Sequence, residues 1–192
     1  KDIDTIEKIR SELGIFSKLI FSKHKNSSGS ISESVLLTVR SEKIVNDLAK
    51  YNIIPNKTKL IKHLPQNIPF QFQKDFLRGL IDGDGSIYKT SSVNKGRRYF
   101  KNVIYFCSHY QSTCEDFKKM IDNVLGYKTQ TNITKEKGVY RVSYFKQKYT
   151  KDIAILLYKD NNISLQRKYE LAKHIYENSE EDIIYSDQLN WC

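Results

Sequence analysis

Asp82 and Asp84, in the stretch Phe76-Leu77-Arg78-Gly79-Leu80-Ile81-Asp82-Gly83-Asp84-Gly85-Ser86-Ile87, are the residues of this chain best placed to do chemistry. The apolar positions ahead of them have helical spacing, so both acids fall at a helix C-terminus. There the macrodipole is negative and disfavours each carboxylate by about 0.3–1 kcal/mol. Acids in that position favour a bound cation, although a solvated Asp-Gly turn would present the same residues. A calcium loop does not fit, because with Asp82 as its first position Ile87 takes the glycine place and Val93 the glutamate place. Gly79 and Gly83 lie one turn apart and strip one helix face of side chains. An interior glycine costs about 1 kcal/mol relative to alanine, so a close backbone contact is expected on that face. Gly85 is expected to end the helix as a left-handed cap.

This segment resembles the signature of the LAGLIDADG homing endonucleases, matching it at Leu77, Gly79, Leu80, Ile81, Asp82, Asp84 and Gly85. Arg78 and Gly83 stand where the motif has alanines. The resemblance implies an α+β fold of tandem α-β-β-α-β-β-α repeats over a concave antiparallel β-sheet saddle. It also implies a sequence-specific, metal-dependent endonuclease acting on double-stranded DNA, of the kind tied to intron or intein mobility. Such enzymes cut across the minor groove, leave short 3′ overhangs and use a long, asymmetric target. Asp84 corresponds to the metal-binding acid, holding Mg²⁺ or another divalent cation, and Asp82 to the acid that shapes the helix end by hydrogen bonding. Hydrolysis of a phosphodiester needs an activated water and neutralised charge, which carboxylate-held metal ions supply. By the same resemblance Lys168, in Leu165-Gln166-Arg167-Lys168-Tyr169, matches a lysine near the start of the last helix. Lys57 is its counterpart in the first half, and His109 falls where water-orienting side chains stand. A catalytically inactive DNA-binding regulator and an RNA maturase share the fold, and both remain alternatives.

Composition agrees with a polyanionic partner. The 192 residues carry a formal charge of +10, with 13 tyrosines and 9 phenylalanines as contact surface. Nucleic acid is the first candidate; a membrane surface is the second, but no basic amphipathic helix lacks a core-facing role. At 39% hydrophobic and 28% charged the chain is globular rather than disordered. Cys107, Cys114 and Cys192 form no C-x-x-C pair, and their odd number argues against a disulfide framework. Reduced thiols in an intracellular compartment, cytoplasm or organelle, are expected. The chain opens on Lys1 and its single methionine is Met120, so a longer translated product is expected.

The elements that must position these residues follow from periodicity. Helices are expected over 2–13, 41–51, 72–84, 113–125, 151–159 and 165–178. Strands are expected over 17–25, 33–40, 86–92, 99–108, 127–134 and 139–145, with an acidic, loose tail from Glu180. An internal repeat emerges: Leu13-Gly14 answers Leu125-Gly126 and Lys57-Thr58 answers Lys168-Tyr169, two anchors that agree on the offset to within one residue. The first half's own motif helix would then precede Lys1. We therefore divide the chain into 1–58, the back part of a first repeat; 59–73, a proline-containing linker; 74–178, a complete second repeat; and 179–192, the tail. In the resembled family two motif helices pack side by side, so the missing half-repeat is expected from upstream polypeptide or from another chain.

Strand alternation nominates the DNA-facing positions. Tyr88, Thr90 and Ser92 share one face, as do Lys128, Gln130 and Asn132, and Arg141 with Ser143; these suit a major groove. Arg97, Arg98 and Lys101 suit phosphates. In the first half Lys18 and Arg40 are the outward basic positions.

Overall fold

The computed structural model describes residues 2–54, 62–94, 97–160, 163–178 and 183–185. Apolar spacing gives α1 (Ile3–Glu12), which Gly14 ends at φ +61°. A hairpin follows, β1 (Ile20–Lys25) paired antiparallel with β2 (Ile31–Leu36), closed by Asn26 N–H to Ser30 O and by Gly29 at φ +83°. Both strands are shorter than the sequence predicts, leaving Lys18 ahead of β1 and Arg40 beyond β2. Ser41 then caps α2 (Glu42–Ala49), its Oγ accepting from Ile44 N–H. Residues 62–69 lie against a later helix rather than running free: Lys62 O accepts from Ser112 Oγ and Thr113 Oγ1, and Asp116 Oδ2 accepts from Leu64 N–H.

The second half has the order α-β-β-α-β-β-α, followed by one further helix. The motif helix α3 (Phe70–Asp84) runs directly into β3 (Gly85–Asn94), which pairs along its whole length with β4 (Arg97–Ser108). Next come α4 (Gln111–Leu125), stopped by left-handed Gly126, and the hairpin β5 (Ile133–Glu136) and β6 (Val139–Tyr144). Lys137 and Gly138, both at positive φ, make that turn. Then α5 (Gln147–Ala154) continues as a π turn (Ile155–Lys159), and α6 (Gln166–Glu177) follows. The sheet order is β3-β4-β6-β5. The tail is not wholly loose: β7 (Ile183–Tyr185) pairs with residues 97–99 of β4. No described helix is long and apolar enough to cross a membrane.

The core lies between one sheet face and the helices. Ile87, Ile104, Phe106, Val142 and Tyr144 supply the sheet side, and Leu77, Ile81, Phe117, Ile121, Ile153 and Leu157 the helical side. Phe106 and Phe117 stack at 4.6 Å. The first half is the opposite case. Phe16, ahead of β1, is 99% exposed, and within the hairpin Ile31 is 70% and Phe21 66% exposed, so this half shows apolar side chains to solvent. Exposure on that scale marks a surface that expects a partner.

Candidate functional site

The site begins where α3 meets β3. Gly85 is not a left-handed cap; its φ is −111° and its ψ −175°, ordinary extended backbone. Glycine is required there for space. A Cβ would stand 2.5 Å from Tyr105 O, 2.8 Å from Ile81 Cα and 2.9 Å from Ile81 O, all main-chain atoms. The helix end is thus pressed directly on β4. Gly79 and Gly83 differ from expectation in the other direction. A Cβ on either meets nothing within 4 Å among the described residues, so the bare face is uncovered. A groove of about 840 Å³ runs beside it, between α3 and α1, lined by Ile6, Ile9, Lys74, Arg78, Gly79 and Gly83 among others.

The two acids have different surroundings. Asp82 accepts from Tyr158 Oη at 2.8 Å and from Leu165 N–H at 3.0 Å, so both oxygens are engaged. Burial raises its pKa, and those two hydrogen bonds oppose the rise. Asp84, the last residue of α3, is exposed, and its carboxylate accepts no hydrogen bond among the described residues; only its carbonyl is engaged, by Cys107 Sγ at 3.1 Å. Burial, then the Asp84 charge, raises the Cys107 pKa.

Lys168 is 2% exposed. Its Nζ donates to Ile81 O, Asp82 O and Gly85 O at 2.5, 2.9 and 2.8 Å. The resemblance makes this lysine a catalytic candidate at the start of the last helix; the structure closes its ammonium over the end of α3. Burial lowers its pKa, with Arg167 adding to the effect. Arg78, at the motif's alanine position, is also buried: it donates to Ile163 O, Leu157 O and Asp75 Oδ1. Together Arg78, Asp82 and Lys168 tie Leu157, Tyr158, Ile163, Leu165 and the start of α6 to α3. His109 is exposed beyond the end of β4, its ring edge-on to Tyr110. Lys57 lies outside the described residues.

On the sheet face away from the core, Ser86 pairs with Tyr105 and Tyr105 with Ser143, while Cys107 pairs with Arg141, so these five strand positions share the face with Tyr88. Arg141 is the centre of a cluster there. Its guanidinium lies 3.7 Å from the Tyr105 ring centroid, donates to Tyr88 Oη at 3.1 Å and meets Glu136 at 3.4 Å. Its Nε is buried without a hydrogen-bond partner among the described residues. Tyr105 and Glu136 were not among the DNA-facing positions nominated from the sequence: β4 carries aromatics on both faces, so alternation does not single out the first, and the second closes β5 beside the turn. Thr90, Ser92 and Lys101 are exposed, with Thr90 opposite Lys101. Arg98, also exposed, is opposite Val93 and so has the parity of the core face, at the sheet's far end; Arg97 lies in β4.

Lys128, Gln130 and Asn132 are exposed but precede β5, so strand alternation does not set their direction. The segment is held instead by local bonds. Asp122 accepts from Thr129 N–H and Oγ1, Gln130 N–H donates to Tyr149 Oη, and Thr131 Oγ1 donates to Ser143 O.

Residues 71–189 match a family model described as a LAGLIDADG-like domain. No curated protein matches the chain. Among solved structures, the I-LtrWI LAGLIDADG homing endonuclease bound to target DNA is similar in fold, with a TM-score of 0.52 at 14% identity over 92% of this chain and 75% of that one. The group I intron-encoded homing endonuclease I-CeuI, complexed with DNA, gives 0.47 at 13% identity over 73% and 74%. The homing endonuclease I-CvuI, in a complex with DNA and 2 mM Mg in which the DNA is not cleaved, gives 0.45 at 17% identity over 57% and 67%.

Proposed function

The chain belongs to the LAGLIDADG-like domain family, and on that premise we propose that it supplies one active half of a sequence-specific, metal-dependent endonuclease for double-stranded DNA. The observation that carries this reading is the Asp84 carboxylate: exposed and without a hydrogen-bond partner among the described residues, at the end of a helix whose glycine face is open. A net charge of +10 and the bound DNA of the I-LtrWI structure support the choice of partner.

The donor set fits one arm of a Mg²⁺ site. Mg²⁺ takes one or two carboxylates, completes its shell with water and substrate oxygens, and needs no protein cage. Asp84 would hold it, since both Asp82 oxygens are already engaged. An ion bound there supplies charge neutralisation at the phosphate and a water of lowered pKa. The rest belongs to the chain's own groups. Arg141, fixed by Tyr105, Tyr88 and Glu136, presents its guanidinium from the sheet and suits the O6 and N7 acceptors of guanine. Thr90 and Ser92 offer hydroxyls along the same parity, Lys101 holds phosphate, and exposed His109 is free to orient water near the end of β4. A second motif helix, from upstream polypeptide or another chain, fills the groove beside Gly79 and Gly83 and brings a second acid toward Asp84.

The test is a selection. The chain, joined to a segment that supplies a second motif helix, captures duplexes from a randomised library in Ca²⁺ and is then moved into Mg²⁺. Captured duplexes should be cut at one position by the native chain and only held by Asp84→Asn. Duplexes that are captured but never cut in Mg²⁺ would leave a DNA reader and remove the nuclease.

A further inference from the structure

The end of α3 lacks the device that normally closes a helix. The last turn of any helix leaves carbonyls without intrahelical partners, and here the following glycine is extended rather than left-handed. Gly85 N–H reaches Ile81 O, and Cys107 Sγ takes Asp84 O. Ile81 O, Asp82 O and Gly85 O converge on a single atom, Lys168 Nζ, across 83 residues or more of sequence. A lysine ammonium has three donors, and all three are used.

We propose that Lys168 is a positioning residue for Asp84: its ammonium caps α3 from outside the helix and fixes the main chain on both sides of Asp84, so that the carboxylate is aimed out of the helix end at the cation. This deepens the nuclease reading and rests on it. Asp84 lies between Asp82 and Gly85, whose carbonyls the same ammonium grips, so backbone freedom at position 84 is removed while its side chain stays open. A positive charge also suits a helix C-terminus, where the dipole is negative. The cap is itself held: Arg78 grips Leu157 O and Ile163 O, and Asp82 grips Leu165 N–H, on the segment that leads into α6. With its donors saturated by main chain and its side chain buried, Lys168 does not reach water or phosphate.

The two roles predict opposite signs for metal binding. A lysine that is merely a nearby positive charge repels a cation, so its removal tightens binding. A lysine that aims the ligand loosens binding when removed, by about ten- to a hundredfold for loss of an outer-shell partner. The full chain is titrated with Tb³⁺, whose luminescence is sensitised by the tyrosines of the sheet face. Lys168→Met, shown folded by circular dichroism, should weaken Tb³⁺ binding by that margin; binding equal to or tighter than native overturns the proposal. If Lys168→Met does not fold, the native chain decides. With ¹⁵N-lysine, the Lys168 ammonium resonance should exchange slowly with water and stay in place when Mg²⁺ and duplex are added. Exchange as fast as surface lysines, or a shift on either addition, overturns the assignment. Asp84→Asn separates the two claims: luminescence that survives it removes the metal reading, and the ammonium resonance still decides the cap.

Discussion

Alanine at the three glycines of the motif should separate an open helix face from a closed one. A Cβ at Gly79 or Gly83 meets nothing within 4 Å among the described residues, so each Gly→Ala gains helix propensity without a clash. That gain is about 1 kcal/mol per site, and the pair together should raise the thermal midpoint of this chain by about 4–8 °C at a gain of about 2–4 °C per kcal/mol. Gly85→Ala runs the other way. Its Cβ would lie 2.5 Å from Tyr105 O and under 3.0 Å from two main-chain atoms of Ile81, none of which is a flexible side-chain end. Overpacking costs about 1–3 kcal/mol, and main-chain contacts place this variant at the top of that range. Urea and thermal melts of the three variants are the assay. Their counterpart is association with a segment that supplies the second motif helix: methyl groups at 79 and 83 intrude into the groove, so the variants that stabilise the isolated chain should weaken that association. Destabilisation of the isolated chain by Gly79→Ala or Gly83→Ala would refute the reasoning, because it would mean the face is already packed.

Asp82→Ala removes the bond from Tyr158 Oη and strands Leu165 N–H, and should lower stability by roughly 1–3 kcal/mol, read by denaturant melts; a neutral result would contradict the structural role given to it. Arg141→Lys loses the Tyr105 stack and the Tyr88 bond, and a binding-site selection should show preference relaxed by about 1–3 kcal/mol at one base pair. Lys101→Ala should instead weaken all duplexes alike and reduce the salt slope by about 0.9. Burial pushes the Cys114 thiol up to about 11, so at pH 8 about one molecule in a thousand is thiolate. Mass spectrometry after iodoacetamide treatment should find Cys114 alkylated only once the chain is unfolded.

Local signals in the sequence were enough for the elements that carry the site. The apolar spacing through Leu77 and Ile81 gave α3, Gly126 its stop after α4, Ser41 its cap, and Lys137-Gly138 its hairpin turn. What stayed hidden depends on partners far along the chain. Nothing near Lys168 in sequence reveals that its ammonium is buried on carbonyls at positions 81, 82 and 85. The reason for glycine at position 85 is likewise a strand carbonyl, Tyr105 O, not the local turn. Polar alternation through Lys128, Gln130 and Asn132 imitated a strand, yet hydrogen bonds to Asp122, Tyr149 and Ser143 hold that stretch outside any strand, and β5 begins at Ile133. The pairing of residues 183–185 with β4 could not be read from an acidic composition.

The central claim is that Asp84 carries the metal that cuts DNA. The most direct measurement is the single-turnover cleavage rate in Mg²⁺ of the native and Asp84→Asn proteins, each joined to a second motif helix, on one duplex that both bind with equal Kd. Asp84→Asn should lose several orders of magnitude in rate at unchanged affinity. Equal rates for the two proteins would contradict the claim.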